Sequence, residues 1–255
     1  MTTVIYPDLA GQVGVVTGGS RGIGAATAAA LGRNGVAVAV VGRDRAAIDQ
    51  VVRGIQAEGG RAMGGAADCT VEAEVQDLRR QVLDQLGPPD IVVAFAGGNG
   101  RPVPTVAETA PHWRAVLDSD LTATFLTVSA FLPDMVSRHR GTVITMSSAA
   151  GRQAARSSAA YAAAKAGVVA LSRHLAGEYA NDGIRVNCIA PSAIENDKMR
   201  AAMSEEARQQ LGKSFPLGRI GQPADVAAAA LFLASDASSW ITGVTLDIAG
   251  GKVML

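Results

Sequence analysis

Tyr161 and Lys165 lie four residues apart in an alanine-rich stretch, 158–167, whose composition favours a helix. On a helix, residues four apart share one face and are separated by about one turn. A positive charge held beside a phenol favours the ionised phenol. Such a phenol can donate a proton to a developing alkoxide at neutral pH, which is general acid catalysis. Taken alone, the pair also fits an ordinary solvated helix face.

A second candidate site follows the first apolar run of the chain. Residues 12–17 end in the turn TGGSRGIG at 17–24, after which the composition favours a helix. The order strand, glycine turn, helix is the context in which the phosphates of a nucleotide bind. Gly18 permits a tight turn, and Gly22 and Gly24 allow a helix N-terminus to approach a pyrophosphate. The spacing G-x-x-x-G-x-G differs from the more common G-x-G-x-x-G.

These two motifs, with Ser148 thirteen residues before the tyrosine, resemble the short-chain dehydrogenase/reductase family. Further matches are Asp68, RVNCIAP at 185–191, FLASDASSWITG at 232–243 and LDIAGG at 246–251. The resemblance covers essentially the whole chain and is nearest to the 3-oxoacyl-(acyl carrier protein) reductases. It implies an NAD(P)-dependent enzyme that interconverts alcohols and carbonyl compounds, with one domain over residues 1–255 that assembles into a homotetramer.

Strand-like and helix-like segments alternate along the chain. Apolar, strand-like runs lie at 12–17, 36–41, 61–66, 90–94, 142–147, 184–189 and 244–248, and helical patterns at 23–33, 45–58, 71–86, 112–138, 159–181 and 223–234. This alternation predicts an α/β fold, a doubly wound, Rossmann-like parallel sheet of about seven strands with helices on both faces. Ligands of such sheets bind beyond the carboxyl ends of the strands.

One segment, 192–214, interrupts this alternation. It forms either a plain surface helix or a lid over the site, and the family resemblance favours the lid.

The resemblance also assigns the cofactor contacts. The assigned residues are Gly18, Ser20, Arg21, Gly22, Ile23, Gly24, Arg43, Asp68, Cys69, Ala96, Gly97, Tyr161, Lys165, Pro191, Ile194 and Asn196. Asp68 matches the contact to the adenine, and Pro191 and Ile194 match the segment along the nicotinamide. In an interpretation without a ligand, Asp68 only caps the helix that follows it.

The end of the second strand bears on which nicotinamide cofactor binds. The carboxylate that would bind a ribose 2′-hydroxyl is absent there, because the sequence continues Gly42-Arg43-Asp44. Gly42 leaves room, Arg43 offers a fork for a 2′-phosphate, and Arg21 adds a second positive charge. Asp44 could still reach a ribose hydroxyl, which would favour NAD(H), but it is expected to cap the helix that begins at Arg45. We therefore expect NADP(H) in preference to NAD(H).

By the resemblance, Ser148 hydrogen-bonds the substrate oxygen and Tyr161 is the general acid in reduction or the base in oxidation. Lys165 holds the nicotinamide ribose and favours ionised Tyr161. Asp120 departs from the family, which usually has an asparagine there that helps to hold a water relay. An ionised aspartate accepts hydrogen bonds only and adds a negative charge. Within reach of Lys165 it would offset part of the help that the ammonium gives to Tyr161.

Two further departures concern the cofactor site. The family's NNAG appears as Ala94-Phe-Ala-Gly97, so hydrogen bonds of the missing asparagines must be replaced. The family's PGxIxT appears as PSAIEN at 191–196, where Asn196 has the donors and acceptor to replace threonine against the carboxamide.

Composition excludes several function classes. The 255 residues carry no formal net charge and only 18% charged residues, so nucleic-acid binding is not expected. No uninterrupted apolar run reaches the ~18 residues of a membrane span, and the start lacks a signal-peptide pattern. The expectation is a cytoplasmic protein with its two cysteines, Cys69 and Cys188, reduced and buried. His112, His139 and His174 lack the spacing of a metal site.

The leading hypothesis is an NADPH-dependent reductase of a ketone, either a 3-ketoacyl thioester or a small free ketone. An acidic acyl carrier would need a basic docking face, for which Arg138, Arg140 and Arg152 are the candidates. One alternative is an NAD-dependent secondary alcohol dehydrogenase. Another is a nucleotide-binding regulatory protein with faded catalysis, which Asp120 allows and the intact set of serine, tyrosine and lysine opposes.

Overall fold

The structure is a computed structural model that describes residues 4–98 and 100–255. Its strands are β1 (Val13–Thr17), β2 (Ala37–Gly42), β3 (Ala62–Ala66), β4 (Ile91–Ala94), β5 (Gly141–Met146), β6 (Ile184–Pro191) and β7 (Thr245–Ile248). Its helices are α1 (Gly22–Arg33), α2 (Arg45–Ala57), α3 (Glu72–Gln85), α4 (Ala110–Leu117), α5 (Ala123–Ser137), α6 (Ala159–Tyr179), α7 (Asp197–Ala202), α8 (Glu205–Gly212) and α9 (Pro223–Ala234). The predicted alternation is confirmed, with bounds that differ by one or two residues in most elements.

The seven strands form one parallel sheet in the order β3-β2-β1-β4-β5-β6-β7. Apolar β-branched residues dominate β1, β2 and β4, as expected where both faces of a sheet are covered. The strand order reverses between β1 and β4. A crevice therefore opens there at the carboxyl ends, which is where such sheets bind ligands.

Two hydrophobic layers hold the helices on the sheet. On one face, α1, α2 and α9 bury residues such as Leu31, Ile48 and Val226. On the other face, α3, α5 and α6 bury residues such as Leu78 and Phe131. The two layers fix the strand ends from both sides, so that loops at the crevice start from rigid positions.

One long helical stretch differs from its prediction. The expected helix at 112–138 is three consecutive pieces, because a π-helical segment, Asp118–Thr122, joins α4 to α5. A π-helical segment widens one turn and is found frequently at functional sites. The combined stretch Ala110–Ser137 is long and apolar enough to cross a membrane, but half of its most apolar window is buried inside the molecule. An ordinary core helix has the same properties.

Candidate active site

A cavity of about 880 Å³ lies at the carboxyl ends of the strands. Of the residues assigned from the sequence, Gly18, Ser20, Arg21, Ile23, Gly24, Arg43, Asp68, Cys69, Ala96, Gly97, Ser148, Tyr161, Lys165, Pro191, Ile194 and Asn196 line it. Gly22 and Asp120 do not line it. The fold thus brings the glycine turn and the candidate catalytic residues into one space, although they are separated by up to about 150 residues of chain.

The glycine turn fits a nucleotide's pyrophosphate. Gly18 has a φ of +66°, and a Cβ on it would lie 2.6 Å from the carbonyl oxygen of Phe95. A Cβ on Gly24 would lie 2.1 Å from the carbonyl oxygen of Gly18, so α1 can approach the turn only without side chains. Arg21 precedes α1 and provides no side-chain cap for it. The first N–H groups of α1 are therefore suited to hold an anion.

The end of β2 carries two exposed ion pairs. Arg21 Nη2 lies 2.5 Å from Asp44 Oδ2, and Arg43 Nη1 lies 4.0 Å from Asp68 Oδ2 with the Arg43 side chain 81% exposed. Asp44 also accepts from the Ala47 N–H at 3.1 Å, so the prediction that it caps α2 is confirmed. This bond and that from Arg21 lower the pKa of Asp44. Arg43 therefore has the weaker ion pair of the two arginines, because the guanidinium of Arg21 lies closer to its aspartate.

Asp68 does not cap α3, since the residue at that N-cap position is Val71. Its Oδ1 instead accepts from the N–H and the hydroxyl of Thr70, at 3.0 and 2.8 Å. The backbone hydrogen bond is the main reason that the pKa of Asp68 is lowered. Burial raises the pKa of the Cys69 thiol to about 11, so this side chain packs as a neutral group at pH 7. Cys69 and Cys188 are free and buried, as predicted.

Helix α6 positions the tyrosine and lysine. The Ser158 hydroxyl accepts from the Tyr161 N–H at 3.2 Å and so caps the helix immediately before the pair. Lys165 Nζ lies 5.6 Å from the centroid of the Tyr161 ring. Ser148 follows β5, and its hydroxyl accepts from the Ala150 N–H at 3.3 Å. The hydroxyl still has a proton to donate to a substrate oxygen.

The neighbouring serine, Ser147, has a different role. It is 2% exposed, and its hydroxyl donates to the carbonyl oxygen of Lys165 at 2.7 Å. This bond ties the end of β5 to α6. No motif in the sequence indicated this structural role.

Lys165 is held by a buried ion pair. Its Nζ lies 3.1 Å from Asp120 Oδ1 and donates to the Met146 carbonyl oxygen at 3.0 Å. The two charged side chains are 3% and 0% exposed. Asp120 lies in the π-helical segment, and its Oδ2 accepts from the Ser119 hydroxyl at 2.7 Å. Asp120 therefore lies within reach of Lys165, which is the arrangement considered from the sequence, and it pairs with the ammonium.

Thr17 and Asp120 hold the loop after β4, which lacks the two asparagines. The Thr17 hydroxyl accepts from the N–H groups of Phe95 and Ala96, at 3.1 and 3.2 Å. Asp120 Oδ1 accepts from the N–H of Gly98 at 2.6 Å. A Cβ on Gly97, which has a φ of +125°, would lie 2.7 Å from that same oxygen. The carboxylate thus approaches the loop closely and fixes it beside the lysine.

Asn196 lines the cavity, and its role against a carboxamide stays a prediction. Its Oδ1 accepts from the Met199 N–H at 2.9 Å and caps α7, and its Nδ2 donates to the Ile194 carbonyl oxygen at 3.0 Å. The cap agrees with the preference of asparagine for this position. The second proton of Nδ2 remains for another acceptor.

The segment 192–214 contains α7 and α8, and its residues Lys198 and Met199 line the cavity. Glu195 connects these helices to the body of the protein. Its carboxylate lies 3.2 Å from Arg200 Nε, 3.7 Å from Arg208 Nε and 2.8 Å from Gln222 Nε2. The bond from Gln222 is the main reason that the pKa of Glu195 is lowered. This connection had no signal in the sequence.

Comparisons with known proteins agree with this geometry. A family model described as enoyl-(acyl carrier protein) reductase matches residues 18–252. A 3-oxoacyl-(acyl carrier protein) reductase of Synechocystis sp. is 38% identical over 248 residues, which cover 96% of this chain and 98% of that protein. Glucose 1-dehydrogenase 2 of Bacillus subtilis is 34% identical over 258 residues, which cover 98% of each chain.

Solved structures are similar over the same length. That of a 7α-hydroxysteroid dehydrogenase complexed with NADH and 7-oxo glycochenodeoxycholic acid has a TM-score of 0.91 and is 32% identical. The match covers 98% of this chain and 97% of that one. The similarity therefore includes the whole sheet and every element that contributes to the cavity.

Proposed function

Because the chain belongs to the short-chain dehydrogenase/reductase family, we propose that it is an NADPH-dependent reductase that converts a ketone into a secondary alcohol. The family membership makes it an NAD(P)-dependent oxidoreductase acting on alcohols and carbonyl compounds. The observation that carries the finer proposal is the meeting of Ser148, Tyr161 and Lys165 with the glycine turn in one cavity.

The bound cofactor supplies the hydride, and the protein supplies position, protons and electrostatic field. The Ser148 hydroxyl donates a hydrogen bond to the carbonyl oxygen of the substrate. Tyr161 gives its phenolic proton to that oxygen as negative charge develops on it, and in the reverse direction takes it back. The ammonium of Lys165 stabilises the phenolate that remains. Because Asp120 holds this ammonium from behind, Lys165 stays fixed when the cavity is filled.

The preference for NADPH rests on the end of β2. Gly42 has no side chain, and a Cβ there would lie 2.9 Å from the Ser20 hydroxyl, so a carboxylate side chain at this position would force Ser20 to move. Arg43 is 81% exposed and only 4.0 Å from a single carboxylate oxygen, so it is available for a 2′-phosphate. The hydroxysteroid dehydrogenase structure was solved with NADH, which makes the choice of cofactor the first point to test.

The internal contacts of three arginines favour a free ketone over one attached to an acidic carrier. Arg138 and Arg140 pair with Asp90, at 2.8 and 3.3 Å, and Arg152 pairs with Asp247. Docking a carrier on these side chains would have to compete with pairs that already exist. A small or polyketide-like ketone is therefore the proposed substrate class, and a carrier-bound 3-ketoacyl thioester is the alternative. The protein is proposed to act as a homotetramer in the cytoplasm, and 192–214 to be the lid over the cavity.

A second candidate function is an NAD-dependent secondary alcohol dehydrogenase. The names of two similar proteins, a glucose dehydrogenase and a hydroxysteroid dehydrogenase, describe dehydrogenation of secondary or hemiacetal alcohols. The buried pair of Asp120 and Lys165 supports a third, weaker candidate, a nucleotide-binding protein with faded catalysis.

The deciding experiment follows the absorbance of reduced cofactor with a panel of free ketones and a short 3-ketoacyl thioester. NADPH and NADH are compared for the unaltered protein and for Tyr161→Phe. Turnover with NADPH that is lost in Tyr161→Phe by a factor of about 10² or more supports the proposal. Reduction of ketones with NADH and not with NADPH favours the NAD-dependent dehydrogenase. Tight cofactor binding with trace turnover that Tyr161→Phe leaves unchanged favours faded catalysis.

A further inference from the structure

The turn that carries Ser148 is short and leads directly to Arg152. Ser148 precedes a single turn of 3₁₀-helix, Ala149–Gly151. The Gly151 N–H donates to the Ser148 carbonyl oxygen at 2.9 Å, and the Arg152 N–H donates to that of Ala149 at 3.1 Å. A displacement of Arg152 is therefore transmitted to Ser148 through one turn of backbone.

Arg152 is anchored on β7 by a two-point ion pair. Its Nε lies 2.9 Å from Asp247 Oδ1 and its Nη2 lies 3.0 Å from Asp247 Oδ2. Each side chain is only 13% exposed. Asp247 itself is held by the sheet, because it is the register partner of Ala190 on β6. Paired bonds of this kind fix the orientation of a guanidinium as well as its distance.

Further contacts join the same two parts of the chain. Ala149, Ala249 and Val253 form a small buried cluster. Gln153 Nε2 donates to the carbonyl oxygen of Lys252 at 3.4 Å. On its other side the turn meets the catalytic helix, since a Cβ on Gly151 would lie 2.5 Å from the carbonyl carbon of Lys165. The turn is thus wedged between α6 and the C-terminal segment 247–253.

We propose that Arg152 and Asp247 are positioning residues that hold the Ser148 hydroxyl at its working distance from Tyr161 without touching the substrate. The proposal rests on the role of Ser148 in the proposed reductase. The tyrosine and lysine lie on α6, a helix of 21 residues, whereas the serine precedes a single turn of 3₁₀-helix. The ion pair adds rigidity to this short turn, and rigidity of this kind is needed because small misplacements of a catalytic group are costly.

The chain offers a matched control. Arg79 Nε and Nη2 lie 2.8 and 2.7 Å from the two oxygens of Asp134, with side chains 27% and 17% exposed. This second two-point pair joins α3 to α5, whereas the first joins the turn that carries Ser148 to β7. The hydrogen bond to its aspartate raises the pKa of Arg79, as the one to Asp247 raises that of Arg152. The two pairs are alike in chemistry and differ in location.

The test compares Asp247→Asn with Asp134→Asn. We expect both to lower the melting temperature by similar amounts, while only Asp247→Asn lowers kcat, by about tenfold to a hundredfold. Binding of NADPH, followed by its fluorescence, stays unchanged in both because the glycine turn is intact. In a Ser148→Ala background, Asp247→Asn has no further effect on kcat, since the residue that it positions is gone. Equal kcat values for the two aspartate variants would overturn the proposal.

Two additions keep the test decisive. If Asp247→Asn does not fold, the double variant Arg152→Met with Asp247→Leu replaces the pair by apolar groups, which often restores stability, and its kcat is expected to stay low. Amide hydrogen exchange of residues 148–153, measured without substrate, is expected to speed up in Asp247→Asn and not in Asp134→Asn. Unchanged exchange refutes the positioning role, whereas a lack of turnover by the unaltered protein refutes only the reductase.

Discussion

The buried aspartate at position 120 gives the most informative perturbation of the site. The substitution Asp120→Asn restores the residue type that the family usually has, keeps the volume and removes one charge. The oxygen of an asparagine can still accept from the Gly98 N–H, which Asp120 now binds at 2.6 Å. The loop after β4 should therefore stay in place, and the main change is the loss of the ion pair with Lys165.

The charges and distances give the magnitudes. Two unit charges 3.1 Å apart attract each other by about 5 kcal/mol at an effective dielectric of 20. Desolvation offsets part of this, and removing one partner of a buried pair typically costs about 3 kcal/mol or more. We expect Asp120→Asn to lower the free energy of unfolding by about 3 kcal/mol, which corresponds to roughly 6 to 12 °C in melting temperature for a chain of this size.

Asp120→Asn is expected to raise kcat although it lowers the free energy of unfolding. An ammonium 5.6 Å from a phenolate charge at the ring centre stabilises it by about 3 kcal/mol at the same dielectric. The negative charge of Asp120 cancels part of this stabilisation of the phenolate. Removing that charge restores up to about half of the ~3 kcal/mol. The expected kcat for Asp120→Asn lies between the unaltered value and about tenfold above it.

The assay measures kcat and KM under NADPH saturation, together with urea unfolding followed by circular dichroism. Asp118→Asn is the control, because it removes the same charge from an exposed position in the same π-helical segment. Its expected effect on kcat is nil and on stability small. A collapse of kcat in Asp120→Asn with the fold retained would refute the reasoning and show that the carboxylate has its own catalytic part. An unchanged stability would show that the ion pair contributes no net free energy.

Three more outcomes are expected. Arg43→Ala raises the KM for NADPH by about tenfold or more and leaves the KM for NADH unchanged, because a charged hydrogen bond to the 2′-phosphate is lost. An equal rise of both KM values in steady-state kinetics would contradict this. Glu195→Gln removes the charge that pairs with Arg200 and Arg208 in the proposed lid and speeds tryptic cleavage within 197–213. An unchanged cleavage rate would mean that this segment is held by other contacts. A hydrogen bond from Arg219 lowers the pKa of Asp225 below its ordinary value of 3.8. The stabilisation from this carboxylate is therefore complete above pH 3.8 and is lost as the pH falls through the lowered pKa of the folded state. Asp225→Asn should reduce the difference in the free energy of unfolding between about pH 5 and about pH 3, measured by urea unfolding. An undiminished difference would assign this pH dependence to other groups.

Much of the fold could be predicted because its signals are local. Apolar runs such as 36–41 indicate a strand buried on both faces within a few residues, and α9 was predicted with its observed bounds. The alternation of strands and helices then leaves few topologies, since parallel crossovers are right-handed. The division of the helix at 110–137 could not be predicted in this way, because a π-helical turn depends on what its side chains contact.

The residues of the candidate site likewise divide into those that short motifs identify and those that depend on tertiary contacts. The glycine turn, Ser148 and the spacing of Tyr161 and Lys165 were readable because each motif is short and its chemistry is local. Asn196 was assigned to a carboxamide, and the structure adds a second role, the cap of α7, that depends on the bounds of this short helix. Glu195 gave no signal, since its partners lie up to 27 residues away in the sequence.

By itself, the sequence determined the class of fold, the order of its elements and the identity of the groups that can carry protons. Periodicity and helix spacing act over one or two turns, and these properties depend on nothing more distant. The tertiary structure alone decided that Asp120 lies 3.1 Å from Lys165, and that Arg152 is anchored on Asp247, 95 residues further along the chain. Such pairs form because packing of the two layers on the sheet excludes water around them, and buried charges then require partners that no local pattern specifies.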